Sequence, residues 1–80
     1  MDNNMWTLKT QLAALERQKD KLDNEVVEIL AIKELLKTHS EDEEVWVYSH
    51  TLLDGIIVYA QLDTGVTVKF SFDENQKLIA

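Results

Sequence analysis

Apolar residues recur at alternating three- and four-residue steps through the first half of the chain. From Met5 they run Met5, Leu8, Leu12, Leu15, then Leu22, Val26, Ile29 and Leu36, with Lys19 and Lys33 filling the two gaps in the series. With Met5 at heptad position a, every d position is aliphatic: Leu8, Leu15, Leu22, Ile29 and Leu36. Such a seam, sustained over four heptads, meets the criterion for a coiled-coil helix. No glycine or proline interrupts residues 1–38. From Asn24 onward, Val27, Leu30, Ile32 and Leu35 widen the stripe, as packing on a sheet requires.

The pattern changes near Thr38–Asp42, where Val, Ile, Tyr, Phe, Thr and Trp take over and the period falls to two. Glu44–Tyr48, Ile56–Leu62 and Val66–Phe72 read as strands. The last is the cleanest, with Val66, Val68, Phe70 and Phe72 alternating against Thr67, Lys69 and Ser71. Neither face of the first two is polar, so both faces of the sheet are expected to be partly covered. Asp54-Gly55 is a two-residue hairpin signal, and it carries the first strand on through Leu52 and Leu53, with a bulge near Ser49-His50. Asp63-Thr64-Gly65 suits a three-residue loop. Asp73-Glu74-Asn75-Gln76 reads as a last turn leading to a short edge strand at Lys77–Ile79.

The expected fold class is therefore α+β. One long N-terminal amphipathic, coiled-coil-like helix is followed by a three- to four-stranded antiparallel β-meander. Residues 1–80 make one domain, with a helical oligomerisation segment over 1–38 and the meander over 43–80. A helix from Met5 to Lys37 is about 50 Å long at 1.5 Å per residue, whereas a globule of this size is about 30 Å across. Half of the helix then projects past the sheet. A second copy is the simplest way to bury its seam, which makes Met5, Leu8, Leu12, Leu15 and Leu22 the expected oligomer interface of a homodimer or larger assembly. The alternative is a helical hairpin, about 5–21 then 25–37, turning at Asp20–Glu25, where Asp and Asn favour a helix start.

The order of heptad helix, Glu34-Leu35-Leu36 and then Glu44-Val45-Trp46-Val47-Tyr48 loosely resembles prefoldin subunits over roughly residues 12–62. The resemblance implies a helix leading into a strand. It assigns no functional residue, because no second long helix follows the strands here.

Charge and chemistry narrow the function. The net charge is −7, and residues 39–80 carry most of it, with Lys69 and Lys77 set against eight acids. Phosphate binding needs clustered Lys and Arg, so direct nucleic-acid binding is not expected. No apolar run reaches the roughly 18 residues of a membrane span, and the first residues lack the pattern of a secretory signal. A soluble, cytoplasmic protein is expected. Without cysteine there is no thiolate metal site or cysteine nucleophile. No catalytic motif is present, and His39 and His50 with the nearby acids match no standard metal spacing. No enzyme activity, metal or cofactor is expected.

Two features invite a partner. The run Glu41, Asp42, Glu43 and Glu44 could dock on a basic surface of another protein. Trp46 and Tyr48, together with Tyr59, are residue types enriched at interface hot spots. The expected function is a self-associating protein–protein interaction module, with the helix seam for assembly and the acidic β half for an unidentified partner. Two alternatives stand beside it: an acidic inhibitor or nucleic-acid mimic that blocks a basic site, and a small-ligand binder with a pocket at a subunit interface. Trp6, off the seam at position b, is expected to touch a partner or a neighbouring helix end.

Overall fold

A computed structural model describes residues 6–80. Met5, the first residue of the expected seam, lies outside them. The described elements are β1 (Trp6–Thr7), α1 (Leu8–Glu16), α2 (Asp23–Leu35), β2 (Glu44–Leu52), β3 (Gly55–Leu62) and β4 (Thr67–Asp73). The strands form one antiparallel sheet in the order β1-β2-β3-β4. Both helices lie on one face of it. The chain is α+β, as expected, but the long helix is replaced by two short ones.

The helix breaks because Glu16-Arg17-Gln18-Lys19-Asp20-Lys21 offers no apolar side chain to any neighbour. Continuing it would carry six polar residues past the sheet with nothing to bury. Stopping instead lets α2 start with good capping. The Glu25 carboxylate accepts the Leu22 backbone N–H at 2.8 Å, one arm of a capping box. Asp23 and Glu25 also place negative charge in the first turn of α2. At α1 the Thr7 hydroxyl accepts the Thr10 N–H at 3.1 Å, an N-cap. The break falls at 17–22, earlier than the hairpin boundary anticipated at Asp20–Glu25, and the two helices are not a simple hairpin. The end of α1 sits beside the later part of α2, where Lys33 Nζ lies 3.4 Å from the Glu16 carboxylate.

The expected seam is thereby split among three environments. Leu8 is fully buried in the chain's own core, and Leu12 and Leu15 pack against that core. Leu22 is the exposed N-cap of α2. In α2 the buried side chains are Val27, Ile29, Ala31, Ile32 and Leu35. Only Ile29 among them belongs to the heptad seam, while Val26 on the seam is only half-buried. The wider stripe facing the sheet sets the rotation of α2. The projecting half that called for a second copy does not exist, because the molecule measures 37 × 28 × 23 Å. No coiled coil is present among the described residues.

Register fixes the two faces of the sheet. Val45, Val47, Ser49 and Thr51 of β2 stand opposite Leu62, Ala60, Val58 and Ile56 of β3. Ile56, Val58 and Ala60 in turn stand opposite Phe72, Phe70 and Val68 of β4. Paired residues share a face, so this is the helix-covered side. The β2–β3 pairing runs from Val45↔Leu62 to Leu52↔Gly55 without the bulge expected at Ser49-His50.

The β2–β3 loop is Leu53-Asp54, one residue earlier than the Asp54-Gly55 signal implied. Gly55 already pairs with Leu52 and with Asp73. It is needed for space: a Cβ there would collide with the Phe72 carbonyl oxygen. Gly65, by contrast, has φ of +95° in the expected three-residue loop, closed by Leu62 N–H donating to Val66 at 2.8 Å. The last turn also forms as expected. Asp73 Oδ1 accepts the Asn75 and Lys77 N–H groups. Residues 77–80 then pair beside β4, with Ile79 N–H on Ser71 at 2.8 Å and Ser71 N–H on Ala80 at 3.0 Å.

Candidate functional site: an open aromatic sheet face

The second face of the sheet carries the odd-looking half of the β sequence. Its rows follow from register. Trp46, Gln61 and Thr67 form the first, Tyr48, Tyr59 and Lys69 the second, and His50, Ile57 and Ser71 the third. Ile79 flanks Ser71 through the backbone bond above. No described element lies over these rows. Trp46 is 55% exposed, His50 and Lys69 are exposed, and Tyr48, Ile57 and Tyr59 are half-buried by one another. The helices together bury only one face of the sheet, and the other is apolar with no described element over it.

The rings form a continuous cluster. Tyr48 stacks on Tyr59 across the strand pair, with ring centroids 5.2 Å apart and an interplanar angle of 21°. Trp46 tilts against Tyr48 at 5.5 Å. His50 meets Tyr59 edge-on at 5.7 Å and Tyr48 at 6.1 Å. Aromatic pairs at such separations prefer offset or edge-on arrangements. The cluster holds its rings upright and pre-arranged, so little side-chain freedom remains to be lost on contact.

The acidic run lies mostly in the loop between α2 and β2, with Glu44 opening β2 itself in the same column as Trp46. Glu41 and Asp42 are exposed, Glu43 is half-buried and Glu44 is exposed at the start of β2. Two backbone bonds pin the loop to the start of α1, Lys9 N–H on Glu41 and Leu8 N–H on Glu43, both 2.9 Å. These satisfy orphan donors of α1. They also bring acidic residues beside a helix N-terminus that has none in its own first turn. The run thus has a local structural use that its composition did not reveal. His39 is likewise engaged locally, with Nδ1 3.3 Å from the Leu35 carbonyl oxygen at the end of α2. Among the described residues no group of three His, Cys, Asp or Glu side chains is placed to hold a metal ion.

One polar cluster lies between α2 and β2. The Ser49 hydroxyl donates to Glu28 at 2.7 Å. Asn24 Nδ2 donates to Ser49 and Thr51, each at 3.1 Å. Burial pushes the Glu28 carboxyl above its ordinary range, the Ser49 hydrogen bond opposes this, and nearby Glu25 adds to it. These bonds fix how α2 seats on the polar end of the inner face. Beside them, at the start of α2, is an open groove of about 210 Å³ lined in part by Asp23, Asn24, Thr51, Leu52, Asp73 and Gln76. That is smaller than the few hundred cubic ångströms of a usual ligand site.

Sequence reasoning named Trp46, Tyr48 and Tyr59 but did not join His50, Ile57 and Lys69 to them. The signal that could have found them is register. A two-residue turn after Leu52 sets Tyr59 opposite Tyr48. Trp6 belongs to β1, opposite Val45, and is 46% exposed. It is not on a helix. No protein-family model, curated protein or solved structure matches this chain. Among the described residues no helix is long and apolar enough to cross a membrane.

Proposed function

We propose that this chain is a non-enzymatic protein–protein interaction module whose contact surface is the open sheet face. The observation that carries it is the Trp46–Tyr48–Tyr59–His50 cluster on a face that no described element covers. A protein surface suits this face better than a nucleic acid does. Single-stranded nucleic acids also stack on sheet aromatics, but they need a cationic groove for the backbone. Here Lys69 is the only lysine within the three rows, on a chain of net charge −7. A small ligand would find a nearly flat platform rather than a cavity. The face has the composition of an interface centre, with aromatics and few charges.

The test is comparative capture of protein partners by immobilised variants. The double variant Trp46→Ser, Tyr48→Thr is expected to lose partners that the native chain retains. A variant with Glu41, Asp42, Glu43 and Glu44 changed to Gln or Asn is expected to keep them. The reverse pattern would move the function to the acidic run and the inhibitor reading.

A further inference from the structure

Resting on that reading, we infer that the occupant of the open face is a second copy of this chain, packed face to face about a two-fold axis along β3. The face divides into unlike halves. On one side of β3 stands the aromatic column of β2, Trp46 and Tyr48. On the other stands the polar column of β4, Thr67, Lys69 and Ser71. A two-fold axis lying in the contact plane along β3 exchanges these columns while keeping height along the strand. Each Tyr48 then meets the partner's Lys69 at the same height, ammonium over ring, a favourable pairing. Each Trp46 meets the partner's Thr67, and His50 meets the partner's Ser71. Ile57 and Tyr59, on the axis strand, meet their own copies and supply the apolar centre. No acidic group falls within the three rows, so the contact centre brings no like charges together.

Size agrees with a weak dimer. At about 4.8 Å between strands and 3.3 Å per residue, the rows from Trp46 to Leu52 across β2, β3 and β4 cover roughly 300 Å² in plan. With side-chain relief on both copies this buries on the order of 1,000 Å², the low end of specific interfaces. Sheets pack in this way at about 10 Å with strand directions offset by the twist, about −30°, so the axis lies about 15° off β3, midway between the two copies' strands. Apart from Asp73, which ends the Leu52 row and faces the partner's Leu52, the negative charge lies outside the contact, so the copies repel at long range. Added salt screens that repulsion and strengthens the dimer, the opposite of an ion-paired interface.

The experiment is sedimentation equilibrium from micromolar to millimolar chain at low and high salt. The expected result is a shift from 9.3 kDa towards twice that mass, with a dissociation constant several-fold lower at high salt. Two axis variants isolate the geometry. Ile57→Asp and Ile57→Lys each place like charges face to face and are expected to be monomeric. Mixed in equal parts they are expected to pair, which only a symmetry-related contact at position 57 produces. Ile57→Thr, which keeps strand propensity, is expected to weaken the dimer without unfolding the chain. Circular dichroism confirms that each variant is folded. Folded Asp and Lys variants that fail to pair on mixing would overturn the proposal. So would a dimer that Ile57→Thr and Lys69→Ala leave unchanged. A native chain that stays monomeric throughout overturns the second copy as occupant but leaves the contact-surface reading standing. Tight binding of a short oligothymidylate that Trp46→Ser abolishes would overturn both, in favour of a stacking platform for single strands.

Discussion

The same three strands build two faces with opposite fates. On the inner face Val45, Val58, Ala60, Leu62, Phe70 and Phe72 are buried under α1 and α2. On the outer face Trp46, Tyr48, Tyr59 and Ile57 make a surface of comparable apolar content with no described element over it. The helices have one apolar side each, and the inner face uses both. Core formation therefore requires the inner residues and explains none of the outer aromatics. Rings that the helix-covered core does not use, on a chain otherwise coated with acid, are the basis for proposing the outer face as a contact surface.

Substitutions can break that contrast, beginning with the largest effect. Leu8→Ala empties a fully buried site where α1 meets the sheet. It should cost about 2–5 kcal/mol in urea unfolding. A change in solution mass with stability preserved would instead return Leu8 to an intermolecular seam. Gly55→Ala drives a methyl into the Phe72 carbonyl oxygen in the strand pair. It should cost about 1–3 kcal/mol by the same measurement. A neutral outcome would show that the β3–β4 pair parts easily there. Trp46→Ser, on the outer face, should cost less than about 1 kcal/mol in dilute solution, with its main effect on association.

Glu28 gives the smallest change and sharpens the contrast through pH. Its carboxyl holds a proton more tightly folded than unfolded, chiefly because burial disfavours the charge. The folded state is therefore favoured below the ordinary glutamate value of 4.5. This contribution is lost as pH rises through the raised folded value. Glu28→Gln keeps an acceptor for Ser49 and removes the charge. It should be slightly more stable than the native chain at neutral pH, with a flatter stability profile across that window. A variant less stable at neutral pH would mean that the ionised carboxylate is the form the fold prefers.

Much of the β half was legible because alternation and turn chemistry agree. Val68, Phe70 and Phe72 mark the buried side of β4, and Gly65 supplies a left-handed residue where the loop needs one. Gly55 was legible as a turn signal but acts through lack of bulk one step later, which shifted the turn by a residue. The helical half misled because two stripes overlap. A heptad seam can be read through Lys19 without interruption, whereas the fold uses Leu8, Leu12 and Leu15 on one short helix and a rotated set on the other. The polar stretch Glu16–Lys21 was the physical clue, since a packed helix needs an apolar contact on every turn. Trp46, Tyr48 and Tyr59 could be singled out, but that Tyr48 faces Tyr59 and that His50, Ile57 and Lys69 join them emerges only from register.

The most direct test of the contrast is urea unfolding of Trp46→Ser, Tyr48→Thr in dilute solution. If the outer aromatics serve contact, the double variant unfolds in one cooperative transition, with a free energy within about 2 kcal/mol of the native chain. Loss of the cooperative transition would contradict this and make the outer aromatics part of the folding core.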